Sequence, residues 1–139
     1  MSKDKVLFVC VHNAGRSQMA EAFLNRLAAE RGLALRGVSA GTLPSGALNP
    51  QVVAAMAEIG IPLDDQAPKL LTQELVAAAD RIITMGCGVD VDACPAGFLV
   101  SEDWGLDDPA EQPIEVVRAI RDTIGQRVAA LVDELEAAK

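Results

Sequence analysis

The run Val6-Leu7-Phe8-Val9 is apolar at every position. A strand without a polar side has no solvent face, so it must be covered on both sides. The periodicity then changes. Met19, Phe23 and Leu27 recur every fourth residue with Ala20 and Leu24 beside them, which predicts a helix over 17–30 that Gly32 stops. Residues 35–40 read as a second strand ended by Gly41, and 42–48, with Pro44 and Gly46, as a loop. Asn49-Pro50 is a helix cap with proline at the first helical position; Val53, Met56 and Ile59 continue that helix to Gly60. Thr72 caps a helix reaching Ala79, and Arg81-Ile82-Ile83-Thr84-Met85 is a third buried strand. Residues 86–97 read as loop and 98–100 as a short fourth strand. The last helix begins near Ile114 and carries Val117, Ile120, Ile124, Val128, Leu131 and Leu135 on one stripe.

Strands alternating with helices imply crossover connections. The expected fold is α/β: a small open parallel sheet of about four strands with helices on both faces. A length of 139 residues suits a single domain, 1–139. Ligands of such sheets bind at the carboxyl ends of the strands, so the loops after Val9, Ala40, Met85 and Val100 should share one rim. The three cysteines, Cys10, Cys87 and Cys94, fall in or next to those loops.

Composition narrows the partners. The net charge of −8 argues against a nucleic-acid binder, which needs a surplus of Lys and Arg. With three Phe, one Trp and no Tyr there is no stacking platform for single strands either. No stretch approaches the ~20 apolar residues of a membrane span, and the first apolar run is too short for a signal peptide. The expected compartment is the cytoplasm, where structural disulfides are rare and an odd cysteine count points to thiol chemistry or to buried thiols.

Cys10-Val11-His12-Asn13-Ala14-Gly15-Arg16-Ser17 joins the first strand to the first helix. A turn of this kind directs successive N–H groups inward, and the helix adds its positive end. Ala14 and Gly15 are small enough for an anion to reach the backbone. Arg16 binds a tetrahedral oxyanion through two parallel donors, which a lysine cannot do. Residues Val11 to Ser17 are thus the expected oxyanion cradle. Cys10 sits on its axis as the expected nucleophile, because the same field favours the thiolate. Ser17 is placed to donate to the sulfur. His12, the only histidine, is read as a loop residue whose backbone serves the cradle. Without a second histidine or a zinc-like cysteine spacing, no metal site is expected.

The stretch Val6 to Glu21, VLFVCVHNAGRSQMAE, resembles the low-molecular-weight protein tyrosine phosphatase superfamily, and within it the arsenate reductases. Ser39-Ala40-Gly41, Asn49-Pro50, Met85-Gly86-Cys87, Cys94-Pro95 and Asp103-Trp104 through Pro109-Ala110 extend the resemblance over nearly the whole chain. The superfamily places a general acid immediately before a proline, here Asp108, with Asp107 as its neighbour. The Asp-Pro-Ala-Glu sequence also has the chemistry of a helix start. Related phosphatases carry aromatic residues after that proline, where this chain has Ala110, so the resemblance favours a small inorganic substrate over a phosphotyrosyl ring.

Cys87 and Cys94 stand seven positions apart. A phosphatase has no need of them, whereas a reductase passes electrons out as thiol pairs become disulfides. The resemblance implies reduction of arsenate to arsenite, for arsenic detoxification. It implies a relay from a Cys10–Cys87 intermediate to a final Cys87–Cys94 disulfide, which thioredoxin reduces. Some related reductases use a low-molecular-weight thiol instead. Phosphate and sulfate are expected as oxyanion mimics, and no cofactor is expected. The alternatives are a phosphatase acting on phosphotyrosine or on small phosphate esters through Cys10, Arg16 and Asp108, and a non-catalytic anion- or metalloid-binding protein. Some relatives bind potassium beside the cradle. Asn13, Glu21 and Ser39 resemble part of that site, but Lys69 stands in place of an acidic ligand, so no required metal is expected.

Overall fold

The computed structural model describes residues 4–85, 102–106, 109 and 111–137. The order of elements is β1 (Asp4–Cys10), α1 (Arg16–Arg31), β2 (Leu35–Gly41), α2 (Pro50–Glu58), α3 (Gln73–Ala78), β3 (Arg81–Thr84), β4 (Glu102–Asp103) and α4 (Ile114–Ala137). The strands form a parallel sheet in the order β2-β1-β3-β4. The expected fold class is therefore the observed one. The fourth strand expected at 98–100 lies outside the described residues, and the described β4 is two residues long, pairing Ile83 with Glu102 and Thr84 with Asp103.

The alternation of β1 divides the core. Val6, Phe8 and Cys10 join Met19, Leu24, Met56, Ile124 and Val128 in the main cluster, under α1, α2 and α4. Leu7 and Val9 face the other way, into a smaller cluster with Ala40, Leu71 and Ile82, against which Leu75 and Val76 of α3 pack. Both faces of the strand are closed, as its unbroken apolar run requires. Helix ends follow their capping residues. Gly32 ends α1 in the left-handed conformation, with φ 63°. Asn49 accepts Gln51 N–H and Thr72 accepts Leu75 N–H, so both residues cap as their sequence positions predict.

The chain leaves β1 for β2 on one side and later returns to lay β3 on the other. The carboxyl end of β1 is therefore the switch point of the sheet, where a crevice opens. Cys10 is the last residue of that strand.

Candidate active site

The loop from Cys10 to Arg16 is held by its carbonyls. Val11 O accepts Leu43 N–H at 2.8 Å, His12 O accepts Ser45 N–H at 3.0 Å and Ala14 O accepts Asn49 N–H at 2.9 Å. All three point outward, into the segment between β2 and α2. In a trans peptide the next N–H faces the opposite way, and no cis bond occurs among the described residues. The N–H groups of His12, Asn13 and Gly15 therefore turn inward. The loop is a cradle of donors, made so by what its carbonyls do outside it.

Cys10 is 3% exposed at the floor of this cradle. Asn13 N–H donates to its Sγ at 3.2 Å, and Ser17 Oγ lies 2.9 Å from the same sulfur. Asn13 Nδ2 donates to Ser17 Oγ at 2.7 Å. Asn13 Oδ1 accepts Lys69 N–H at 2.8 Å; a backbone donor there fixes which end of the amide is oxygen. Asn13 donating to Ser17 leaves the hydroxyl hydrogen free to donate to the sulfur. Asn13 N–H, the Ser17 hydroxyl and the start of a 16-residue helix thus converge on Cys10.

A cavity of about 50 Å³ lies above the sulfur, lined by Cys10, His12, Ala14, Gly15, Arg16, Asn49 and Pro109. Arg16 is 6% exposed, and its Nη1 donates to Leu106 O at 2.8 Å and to Met85 O at 3.4 Å. The arginine thereby ties the start of α1 to the carboxyl ends of β3 and β4. The structure brings together Cys10, the 11–17 loop, Arg16 and Ser17. His12 is exposed and its Nδ1 lies 3.1 Å from Leu43 O, which fits a loop-holding side chain.

Cys87, Cys94, Asp107, Asp108 and Ala110 lie outside the described residues. Met85 and Pro109, in sequence next to these stretches, both reach the site: Met85 O accepts from Arg16, and Pro109 lines the cavity. Asn49 and Pro109 were missed as wall residues by sequence reasoning. Asn49 has a visible role as a helix cap, and only the approach of α2 to the first loop puts it at the cavity.

Beside the cradle, Ser39 Oγ donates to Glu21 Oε1 at 2.7 Å, and Lys69 Nζ stands 3.6 Å from that same oxygen. The ammonium supplies a positive charge next to Glu21. Asn13 Oδ1 accepts from Lys69 N–H and from Gln18 Nε2. No cluster of three or more His, Cys, Asp or Glu side chains suited to a metal ion occurs among the described residues.

The family described as low molecular weight phosphotyrosine protein phosphatase matches residues 5–139. A putative arsenate reductase of Halobacterium salinarum is 40% identical over 136 residues, covering 96% of this chain and 94% of its own. The structure of an arsenate reductase in a phosphate-binding state superposes with a TM-score of 0.80 at 34% identity, covering 94% of this chain and 98% of its own. The thioredoxin-dependent arsenate reductase of Corynebacterium glutamicum gives a TM-score of 0.79 at 37% identity, covering 99% of this chain and 64% of its own. A cradle of backbone donors around Cys10 at the switch point, a family match over almost the entire sequence and similarity to named arsenate reductases agree: the chain belongs to the low molecular weight phosphotyrosine protein phosphatase family.

Proposed function

We propose that the protein is an arsenate reductase acting in the cytoplasm in arsenic detoxification. The observation that carries the oxyanion chemistry is the buried Cys10 sulfur, which receives Asn13 N–H and lies against Ser17 under a small cavity walled by Arg16; the similarity to named arsenate reductases supports arsenate as that oxyanion. Such a cavity suits a free tetrahedral oxyanion. The cradle does not distinguish arsenate from phosphate or sulfate, which share its shape; Cys87 and Cys94 supply the selectivity, because only a reducible centre draws on them.

In the proposed sequence the Cys10 thiolate attacks arsenic, while the cradle N–H groups and Arg16 hold the oxygens. Asp108 protonates the departing oxygen, which leaves as water. Support for this acid is that Pro109, its chain neighbour, lines the cavity. Cys87 then attacks the Cys10 sulfur; the sulfur–arsenic bond breaks, its electron pair goes to arsenic, and arsenite leaves with a Cys10–Cys87 disulfide behind it. Cys94 attacks Cys87, forming Cys87–Cys94 and freeing Cys10. A thioredoxin dithiol reduces this last disulfide, closing the cycle. With Lys69 supplying charge at Glu21, turnover needs no potassium, and a clear potassium dependence would contradict that part.

One equivalent of arsenate added to the fully reduced protein without reductant, followed by alkylation and peptide mapping, tests the relay. The expected product is a Cys87–Cys94 disulfide with Cys10 alkylated. A Cys10–Cys94 disulfide, or three free thiols beside unreduced arsenate, would overturn it. Phosphatase chemistry on small esters needs only Cys10, Arg16 and Asp108, so a weak side activity of that kind is expected and would survive loss of Cys87 and Cys94.

A further inference from the structure

Gln18 is fully buried in the first turn of α1. Its Nε2 donates to Asn13 O at 2.9 Å, to Asn13 Oδ1 at 2.9 Å and to Ala67 O at 3.0 Å. Two of these acceptors are backbone carbonyls, so this end of the amide is nitrogen and Oε1 faces away. There Gln66 Nε2 donates to Gln18 Oε1 at 2.7 Å and to Gln18 O at 3.0 Å, which fixes the second amide in turn. The result is an ordered chain, Gln66 to Gln18 to Asn13, in which backbone groups set every orientation.

Asn13 is where this chain meets the sulfur. Its φ is 51°, the left-handed region that an asparagine tolerates better than most residues. In this conformation its N–H points at Cys10 and its Nδ2 at Ser17. Gln18 holds both Asn13 oxygens and so holds the conformation. If Asn13 relaxed to negative φ, both donations would turn away together. A buried polar chain with every member satisfied is rigid, and with one member missing it is not.

We propose that Gln18 and Gln66 are positioning residues that set the acidity of Cys10 by fixing Asn13 in its left-handed conformation. The inference rests on the reading of Cys10 as the nucleophile. Gln66 sits between α2 and α3, on a segment that also presents Lys69 N–H to Asn13. That segment thereby becomes part of the nucleophile's tuning through Asn13.

The test is the pH dependence of iodoacetamide labelling at Cys10, read by peptide mass spectrometry in the full-length reduced protein. It compares the native chain with Gln18→Met and Gln66→Met, which keep side-chain length and remove the amide. The expected native midpoint is well below the ordinary ~8.5. Both variants should shift it upward by about half a unit or more, and in a Ser17→Ala background Gln18→Met should shift it less, because one of its two routes to the sulfur is gone. Variants that lose thermal stability but keep the native midpoint would make the glutamines structural only and overturn the proposal. A native midpoint near 8.5 would instead overturn the reading of Cys10 itself. If Gln18→Met does not fold, Gln66→Met, at the half-exposed end of the chain, decides alone.

Discussion

Gly41 has no room for a side chain. A Cβ there would lie 2.5 Å from Val11 O and 3.0 Å from Asn13 N, both backbone atoms of the cradle. Gly41→Ala is therefore expected to push the cradle off the sulfur axis. Displacements of about 1 Å at a reacting centre cost roughly 100-fold in rate, so kcat/KM for arsenate should fall by about that factor while the far-ultraviolet circular dichroism stays native. Arg16→Lys keeps the charge but loses the planar pair of donors and the link to Leu106 O. The expected loss is about 100- to 1,000-fold, the range seen when one oxyanion donor is removed. A variant within threefold of native would contradict a two-donor role. The sequence motif alone pointed to Cys10, Arg16 and Ser17, because their spacing is local. It left out Gln18 and the side-chain work of Asn13. Helical patterning assigns polar residues to the surface, yet Arg16, Ser17 and Gln18 are all buried in the first turn of α1, facing the cradle and not water.

At the scale of elements, α2 brings its capping residue Asn49 to the cavity while its other end is pinned to α4. Arg118 grips Glu58 with Nε at 3.0 Å from Oε1 and Nη2 at 2.6 Å from Oε2, and Arg121 Nη1 reaches Glu58 Oε1 and Ala55 O, each at 2.9 Å. The hydrogen bond from Arg118, with its charge, holds the Glu58 carboxyl below the ordinary value of 4.5. A depressed carboxyl contributes stability above its unfolded pKa and loses it as pH falls through the folded one. Glu58→Gln should thus lower Tm at pH 7, and the gap to the native protein should narrow as pH falls below about 4.5. A gap constant between pH 7 and 3 would contradict the clamp. The α4 stripe is a simpler case. Ile124 is fully buried in the main cluster, and Ile124→Ala should cost about 2–5 kcal/mol in urea unfolding. These elements were legible because their periods are distinct: consecutive apolar residues in β1, spacings of three and four in α4, and cap residues at Asn49, Thr72 and Gly32. β4 was not, since a two-residue strand has no period and is defined only by its pairing with Ile83 and Thr84.

Over the whole molecule, the sheet order puts Cys10 where successive strands switch from one side of β1 to the other, and the carboxyl ends of its neighbours supply what surrounds it. Gly41 at the end of β2 supports the cradle from beneath. Met85 after β3 and Leu106 after β4 accept from Arg16. This convergence was readable from the alternation of strands and helices, because parallel strands place all their carboxyl ends on one edge. The closure of the Asn13 amide by Lys69 N–H was not, since it joins positions 56 residues apart through side-chain geometry alone. The central claim, that this edge reduces arsenate through Cys10 and regenerates it through a thiol relay, is tested most directly by NADPH consumption with arsenate, thioredoxin and thioredoxin reductase. The account predicts sustained turnover for the native chain, none for Cys10→Ser, and no more than about one turnover per molecule for Cys87→Ser and Cys94→Ser. Full turnover without Cys94, or hydrolysis of aryl phosphates with no arsenate-dependent NADPH consumption, would contradict it.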